Sequence, residues 1–432
     1  MIKGFSKLHR NQKIAQLSQQ LGLDDGFGQT LDRYLHAHDQ QLFDDISENT
    51  LSNYVLPFGV APNFLVDGTL FHVPMVIEES SVVAAAAKGA GFWATRGGFR
   101  TSVPQMIKTG QIHFEWRGRH ELLQSHLPII ESQLRKAAKP IAQNMEKRGG
   151  GILGFKLSST GNSDRHLWQL LVEFDTQDSM GANFINSCLE AMRPPLETLL
   201  NMSPLANESH KAQVIMCILS NYTPKCTATC TVRCRIDELA PLSGIYSPQE
   251  FAQRFEKAVY IATNDPYRAA THNKGIFNGI DAVALATGND FRAIEANGHV
   301  HASAPGRYRS LTRIELTDDA FAYTLEIPLA IGTVGGLTAL HPLAKTAMQL
   351  LGHPDARTLM SIMAAAGLSN NFMAVTSLVT HGIQKGHMKM HITNILRSLN
   401  ATPVQVESAK EYFTGKTVSY SSVKEFLESR KP

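Results

Sequence analysis

Between Thr358 and Gln384 the chain carries no lysine, arginine, aspartate or glutamate. An uncharged stretch of this length either crosses a membrane or lies in the core of a large globular fold. Gly367, Gly382 and a polar run that begins at Ser369 interrupt it. Because glycine readily ends helices, we predict two short buried helices here and no membrane span.

The size and composition of the chain favour a globular protein with more than one domain. A single core rarely grows beyond about 250–300 residues, so 432 residues indicate at least two domains. Hydrophobic residues make up 43% and charged residues 18%, which excludes a disordered chain. The formal net charge of +3 is too small to indicate a nucleic-acid or membrane partner.

The five cysteines favour a reducing compartment, the cytoplasm. Their odd number argues against a disulfide framework, and the N-terminus lacks the apolar region of a signal peptide. Cys226, Cys230 and Cys234 are evenly spaced, but the paired C-x2-C spacing of zinc sites is absent. The alternation of polar and apolar residues around them predicts a half-buried strand with the thiols on its inner face, and no metal site.

Helical and strand patterns both occur along the chain, and the stretch from about Gln111 to Ser220 is typical of a separate α+β unit, so we predict an α+β fold. We expect a large domain of helices and sheet built from residues 1–110 and 220–380. A separate small domain is expected at 111–219, and a helical segment at 381–432 ends the chain.

Two stretches match the glycine pattern of Rossmann dinucleotide sites, at Gly89–Ala94 and Gly149–Gly154. A Rossmann site needs this pattern between a strand and a helix, whereas both stretches follow a predicted helix that glycine would end, so we reject both. Asp178–Asn183 does lie between a strand and a helix. Its small residues would let a phosphate approach the helix N-terminus, although a plain helix cap has the same pattern.

The densest group of polar side chains runs from Asp265 to Gly279 and overlaps the start of a helix predicted over residues 275–286. Lys274 precedes this apolar helix, which predicts a partly buried ammonium with Asp290 as its counter-ion. A surface lysine and an Asp helix cap would leave the same pattern. Glu78 and Glu79 end an apolar strand, so one of the two carboxyls can turn inward and donate a proton.

Together and in order, these motifs resemble those of class II 3-hydroxy-3-methylglutaryl-CoA (HMG-CoA) reductases. The resemblance spans about residues 5–400, and the runs at Arg268–Gly279 and Thr287–Asp290 are its most specific parts. The matching motifs are Glu48-Asn49, Val76–Ser81, Asp178–Asn183, Ile218–Asn221, Arg268–Gly279, Thr287–Asp290 and Gly382–Met388.

The resemblance implies an oxidoreductase that interconverts HMG-CoA and mevalonate plus CoA. Two hydrides from a nicotinamide dinucleotide would pass through a mevaldehyde intermediate, without a metal. The implied fold has a small non-Rossmann, ferredoxin-like dinucleotide domain inserted into the substrate domain, and a C-terminal helical flap. The implied assembly is a cytoplasmic homodimer with shared active sites, or a trimer of such dimers.

The same resemblance implies roles for individual residues. Lys274 would stabilise the oxyanions and Glu79 would protonate the carbonyl oxygen. Asp290 would hold Lys274, and His387 would protonate the CoA thiolate. The implied substrate-binding residues are Ser81, Arg268, Asn278 and Asn370, and the implied dinucleotide-binding residues are Asp178, Met180, Gly181, Ala182, Asn183 and Asn221.

The chain departs from the family pattern at four positions. Ser80 replaces a proline, Ser179 an alanine and Asn370 a glutamine, and Ser6 stands where relatives carry an arginine for the CoA phosphate. The last change leaves the CoA-phosphate contact open.

Three basic residues flank the triple-glycine turn and favour NADPH over NADH: Lys139, Lys147 and Arg148. Two alternatives remain at this stage. One is a non-catalytic binder of CoA or a dinucleotide on the same fold, and the other is a reductase of a different acyl-CoA.

Overall fold

The computed structural model describes residues 2–159, 166–382, 392–413, 416 and 418–429. The chain divides into two compact units, the first formed by Met1–Phe58 and Val76–Glu78, the second by Gly59–Met75 and Glu79–Pro432. The first unit contains α1 (Arg10–Leu21), α2 (Asp25–Asp32) and α3 (Gln40–Ile46), after a 3-10 turn at Phe5–Lys7.

Mixed helix and sheet, as predicted, make up the rest of the chain. The strands are β1 (Phe58–Val66), β2 (Thr69–Val76), β3 (Arg100–Ser102), β4 (Ile107–Glu115), β5 (Gly151–Ser159), β6 (Leu167–Asp175), β7 (Gln213–Ser220), β8 (Thr227–Arg235), β9 (Thr312–Leu316) and β10 (Ala320–Pro328). The helices are α4 (Val82–Ala94), α5 (His120–Glu146), α6 (Ala182–Leu200), α7 (Pro248–Asn264), α8 (Pro266–Ala286), α9 (Phe291–Ser303), α10 (Gly336–Leu340), α11 (Pro342–Leu350), α12 (Ala356–Val379), α13 (Pro403–Tyr412) and α14 (Tyr420–Glu428). A 3-10 helix covers Ile236–Leu242, and residues 392–398 are also helical.

The middle of the chain forms an antiparallel sheet with the strand order β5-β6-β4-β7. The succession β4-α5-β5-β6-α6-β7 in this order is the split βαβ arrangement of ferredoxin-like folds. Phe114 and Phe174 of the sheet share a core with Leu134 of α5 and Met192 of α6. The strand order agrees with the predicted non-Rossmann topology, while the domain boundaries remain a prediction.

A second antiparallel sheet, in the order β3-β8-β10-β9, contains the cysteine strand. Cys230 and Cys234 lie on the buried face of β8, and Cys226, the residue before the strand, is also buried. The predicted strand with the thiols on its inner face is confirmed. Burial raises the pKa of the Cys226 thiol to about 11, which keeps the thiol protonated at neutral pH.

The uncharged stretch forms one helix, α12, and the prediction of two short helices is wrong. The helix is long and apolar enough to span a membrane, but most of its side chains lie in the protein core. Ser369, Asn370 and Asn371 do not interrupt it, because each bonds to a backbone carbonyl of a neighbouring helix. Ser369 Oγ donates to Ala86 O at 2.9 Å, and Asn371 Nδ2 donates to His272 O at 2.7 Å.

The helix α4 continues through Gly89 and Gly91, which therefore do not end it as expected. A Cβ on Gly89 would lie 2.3 Å from Ser369 Oγ and 3.1 Å from Ser369 O, so this glycine permits the close approach of α12. Gly91 has no atom within 4 Å of such a Cβ. The other glycine stretch does follow the end of a helix, α5, as predicted.

These two glycines give a matched stability test. We expect Gly89→Ala to destabilise the protein by about 1–3 kcal/mol, because the added methyl overpacks the α4–α12 contact. Gly91→Ala should stabilise it by about 0.5–1 kcal/mol, because alanine favours the helix. Urea unfolding of both variants measures the difference, and shifts of the same sign would contradict the close packing of α4 on α12.

Candidate active site

The polar motif lies inside α8, because this helix begins nine residues earlier than predicted. Asp265 caps it by accepting a hydrogen bond from Tyr267 N at 3.1 Å, and Pro266 occupies its first position. At about 100° per residue, Arg268, Lys274 and Asn278 occupy about a third of the circumference of α8. They therefore form one partly exposed face.

Lys274 and Glu79 form an ion pair on this face. Lys274 Nζ lies 2.9 Å from Glu79 Oε2, and Ser81 Oγ donates to Glu79 Oε1 at 3.2 Å. The carboxylate thus joins an ammonium on α8 to a hydroxyl at the start of α4. The Lys274 side chain is 62% exposed in a single chain, so the expected burial of its ammonium is wrong for one chain alone.

Asp290 does not reach Lys274 within one chain. Its Oδ1 accepts hydrogen bonds from Arg292 N and Ala293 N, which caps α9, and Arg292 Nε lies 3.1 Å from the same oxygen. The cap role predicted for Asp290 is confirmed. The predicted pairing with Lys274 is absent among the described residues, because the cap turns the carboxylate back toward its own helix.

The opposite face of α8 is held by buried polar side chains for which the sequence predicted no separate role. Asn273 donates to Arg309 O at 2.9 Å and accepts from Leu311 N at 3.1 Å. His272 lies 2.7 Å from Thr312 Oγ1, and burial, with a smaller contribution from the Arg268 charge, lowers its pKa to about 3. His272 is therefore neutral, and this network fixes the rotation of α8.

Arg268 and Asn278 lie partly buried on the exposed face. Burial lowers the pKa of the Arg268 guanidinium. Neither side chain makes a hydrogen bond or ion pair to the described part of the chain. Both can therefore donate to a bound carboxylate or hydroxyl.

Asn370 is buried, and its Nδ2 donates to Val82 O at 3.2 Å. Val82 is the first residue of α4 and directly follows the segment that carries Glu79 and Ser81. Asn370 thus holds the start of α4, which places it behind Glu79 and Ser81 rather than on the exposed face of the site.

The predicted dinucleotide segment forms the loop between β6 and α6. Gly181 has a φ of +83° and precedes Ala182, the first residue of α6, so a tight left-handed turn leads into the helix. Asp178 Oδ1 accepts from Ala356 N at 2.8 Å, which ties the loop to the start of α12. Met180 is partly buried and Asn183 is exposed. The helix N-terminus and its small residues suit a phosphate.

The profile of the hydroxymethylglutaryl-coenzyme A reductase family matches residues 10–392. The chain belongs to this family. It is 34% identical to the 3-hydroxy-3-methylglutaryl-coenzyme A reductase of Archaeoglobus fulgidus, over 95% of this chain and 90% of that protein. It is 31% identical to a probable reductase of this name from Borreliella burgdorferi, over 85% and 80% of the two chains.

Solved structures place this reductase in class II. The chain is similar to 3-hydroxy-3-methylglutaryl-coenzyme A reductase from Streptococcus pneumoniae, with a TM-score of 0.74, 33% identity and 99% of both chains covered. A structure described as the class II enzyme of that organism, bound to NADPH in open conformations, has a TM-score of 0.74 and 34% identity. It covers 88% of this chain and 99% of its own.

Three further positions named from the sequence are His387, Asn221 and Ser6. His387 and most of the Gly382–Met388 motif lie outside the described residues. Asn221 is exposed, directly after the end of β7. Ser6 lies in the 3-10 turn Phe5–Lys7 of the first unit.

The first unit of the reductase has a cavity of about 700 Å³ lined partly by Arg10, Lys13, Glu48 and Asn49. Arg10 is already engaged, since its guanidinium pairs with Asp32 at 2.7 Å. Arg10 is therefore not assigned to the CoA phosphate in place of the arginine that Ser6 replaces.

The basic residues predicted to favour NADPH lie along and just after α5. The triple-glycine turn follows this helix, and a Cβ on Gly150 would lie 2.5 Å from Asp175 O and 3.2 Å from Gln177 Cγ. The turn thus packs against the start of the β6–α6 loop. Lys147 and Arg148 directly precede the turn and are exposed.

Sequence reasoning also missed Lys108 of β4, which is 3% exposed. Its Nζ donates to Thr176 Oγ1 at 2.7 Å, Ser179 O at 2.6 Å and Ile331 O at 3.2 Å. Burial lowers its pKa to about 8. The alternation that places Ile112 inside also places Lys108 inside, so the signal was present in the sequence.

Proposed function

We propose that this protein interconverts HMG-CoA and mevalonate plus CoA, with Lys274 and Glu79 as its central catalytic pair. The observation that supports this assignment is the 2.9 Å contact between Lys274 Nζ and Glu79 Oε2. Arg268 and Asn278, on the same face of α8, provide donors for the carboxylate and hydroxyl of the substrate.

The chemistry needs a fixed cation at the carbonyl oxygen. Hydride addition to a thioester, and later to an aldehyde, places negative charge on this oxygen, and an ammonium stabilises it in both steps. Lys274 takes this role. Glu79 in its protonated form gives a proton to the aldehyde oxygen in the second step, which forms the alcohol and leaves Glu79 as a carboxylate beside Lys274. A bound nicotinamide dinucleotide supplies the hydride in each step.

The first step also breaks the C–S bond and releases CoA as a thiolate. His387 protonates the sulfur, so that the thiol does not add back to mevaldehyde. Asp290 acts on Lys274. Ser81 orients Glu79 and binds substrate, while Asn370 acts through the start of α4.

The dinucleotide binds at Asp178–Asn183, where the N-terminus of α6 offers free N–H groups to a phosphate. Asn221 contributes from the end of β7. The solved relative bound to NADPH and the basic residues Lys139, Lys147 and Arg148 support NADPH as the preferred form. The ratio of kcat/KM for NADPH and NADH tests this choice.

The proposed assembly is a cytoplasmic homodimer, alone or as a trimer of dimers. The 62% exposure of Lys274, and the absence of a contact with Asp290 among the described residues of one chain, support a site completed by a second copy. The proposed domains are 1–110 with 220–380, 111–219, and a flap at 381–432. Sedimentation measures the oligomeric state. A protein that is monomeric and fully active would overturn the shared site.

A nicotinamide absorbance assay tests the proposed reaction. We expect oxidation of NADPH with HMG-CoA and its formation from mevalonate, CoA and NADP. Folded protein with no turnover in either direction would favour a non-catalytic binder. Faster turnover of another acyl-CoA thioester in competition with HMG-CoA would favour a different acyl-CoA reductase.

The role of His387 can be tested through the two half-reactions. We expect His387→Ala to slow thioester reduction by about 10²-fold, because the thiolate loses its acid. Reduction of free mevaldehyde, which releases no thiolate, should be much less affected. Single-turnover rates with HMG-CoA and with mevaldehyde measure the split. An equal loss of rate in both half-reactions would show that His387 does not act by protonating the thiolate.

A further inference from the structure

Lys108 uses all three protons of its ammonium on neutral acceptors from two different loops. Thr176 Oγ1 and Ser179 O belong to the β6–α6 loop, and Ile331 O belongs to the loop that precedes α10. An ammonium has three donors, so its hydrogen-bonding capacity is filled. The side chain is therefore a buried tie between the two loops.

The second loop continues this contact along the chain. Thr333 N donates to Asp178 O at 2.8 Å, and Ser179 pairs with Val334 as a parallel bridge. A Cβ on Gly332 would lie 2.4 Å from Met180 N, so the two backbones are as close as glycine allows. The loop before α10 thus forms a rigid support for the β6–α6 loop.

The support also reaches the loop that carries Asp290. Gly332 N donates to Asn289 Oδ1 at 2.9 Å, and Thr338 Oγ1 donates to Thr287 O at 2.8 Å. Residues 331–338 therefore contact both the β6–α6 loop and the segment that precedes α9.

A buried lysine without a direct carboxylate partner is an unfavourable choice for packing alone. Desolvation penalises its charge, and an apolar side chain of similar length would fill the space at lower free energy. The charges of nearby groups, Cys226, Asp175 and Asp178, act on Lys108, but no ion pair joins either aspartate to it among the described residues. The specific gain from the lysine is its three directed hydrogen bonds.

We propose that Lys108 is a positioning residue for the dinucleotide, because its ammonium fixes the β6–α6 loop against Ile331. The inference rests on the proposed dinucleotide site at Asp178–Asn183. Without the tie, the turn through Gly181 and the N-terminus of α6 lose their fixed orientation. Dinucleotide affinity falls, while Lys274 and Glu79 stay in place.

The test compares Lys108→Met with Lys156→Met in the full-length protein. Methionine keeps most of the length of the side chain and removes the ammonium. We expect the KM and Kd for NADPH to rise by about tenfold or more, since hydrogen bonds to a charged group are lost. The KM for HMG-CoA and kcat at saturating NADPH should stay near the parent values. Lys156 is exposed on β5 of the same sheet, and its variant should match the parent.

Thr176→Val provides a second, milder variant in case Lys108→Met does not fold. It removes one acceptor of the ammonium, together with the hydrogen bond from Thr176 Oγ1 to Ser179 O, and leaves the ammonium and its other two acceptors in place. A smaller rise in the KM for NADPH is therefore expected. An unchanged NADPH affinity in the folded variants, or an equal loss of HMG-CoA affinity, would overturn the inference. Absence of NADPH and NADH binding to the parent protein would overturn the proposed function as well.

Discussion

Replacing Lys274 by alanine should reduce both hydride transfers by about 10³-fold or more. Loss of one neutral oxyanion donor costs about 10²–10³-fold in other enzymes, and Lys274 provides a full charge at the same oxygen in both steps. NADPH consumption with HMG-CoA and with free mevaldehyde measures the two steps separately. Circular dichroism should show a parent-like fold, since the Lys274 side chain is 62% exposed.

Lys225 provides the matched control. Its Nζ pairs with Glu173 at 2.7 Å and its side chain is 53% exposed, so its setting resembles that of Lys274. Lys225→Ala breaks a comparable surface ion pair, which is worth little to stability. It should retain parent activity. If the Lys274→Ala enzyme reduced mevaldehyde at the parent rate, Lys274 would have no role in the aldehyde step.

Replacing Glu79 by glutamine should slow the aldehyde step by about 10²–10⁴-fold, the usual contribution of a positioned general acid. The amide can still accept the hydrogen bond from Ser81 Oγ, so the start of α4 should keep its conformation. The change thus replaces an ionisable carboxyl, which can carry either a transferable proton or the charge beside Lys274, with a neutral amide of nearly the same shape. The rate of mevaldehyde reduction under single-turnover conditions measures the effect.

Glu173→Gln is the control for this variant, because Glu173 pairs with Lys225 and its side chain is 32% exposed, against 35% for Glu79. It should leave the rate unchanged. If Glu79→Gln reduced mevaldehyde as fast as Glu173→Gln does, another group would have to protonate the aldehyde oxygen.

Several local features were predictable from the sequence because they depend on neighbouring residues. Asp290 caps α9, the cysteines lie on the buried face of one strand, and α5 ends before the triple-glycine turn. Each follows from hydrogen bonds or side-chain alternation within a few residues. Long-range contacts were beyond this reasoning. The continuity of α12 through Ser369 and Asn371 depends on carbonyl groups of helices distant in sequence.

The order and identity of the reactive groups, and with them the reductase family, were determined by the sequence alone, because chemistry depends on residue type and spacing. Tertiary structure decided which of these groups meet. It brings Lys274 to Glu79 and buries Lys108 between two loops. These outcomes depend on how helices and strands far apart in the chain pack together, and the short-range pattern around each residue does not contain that information.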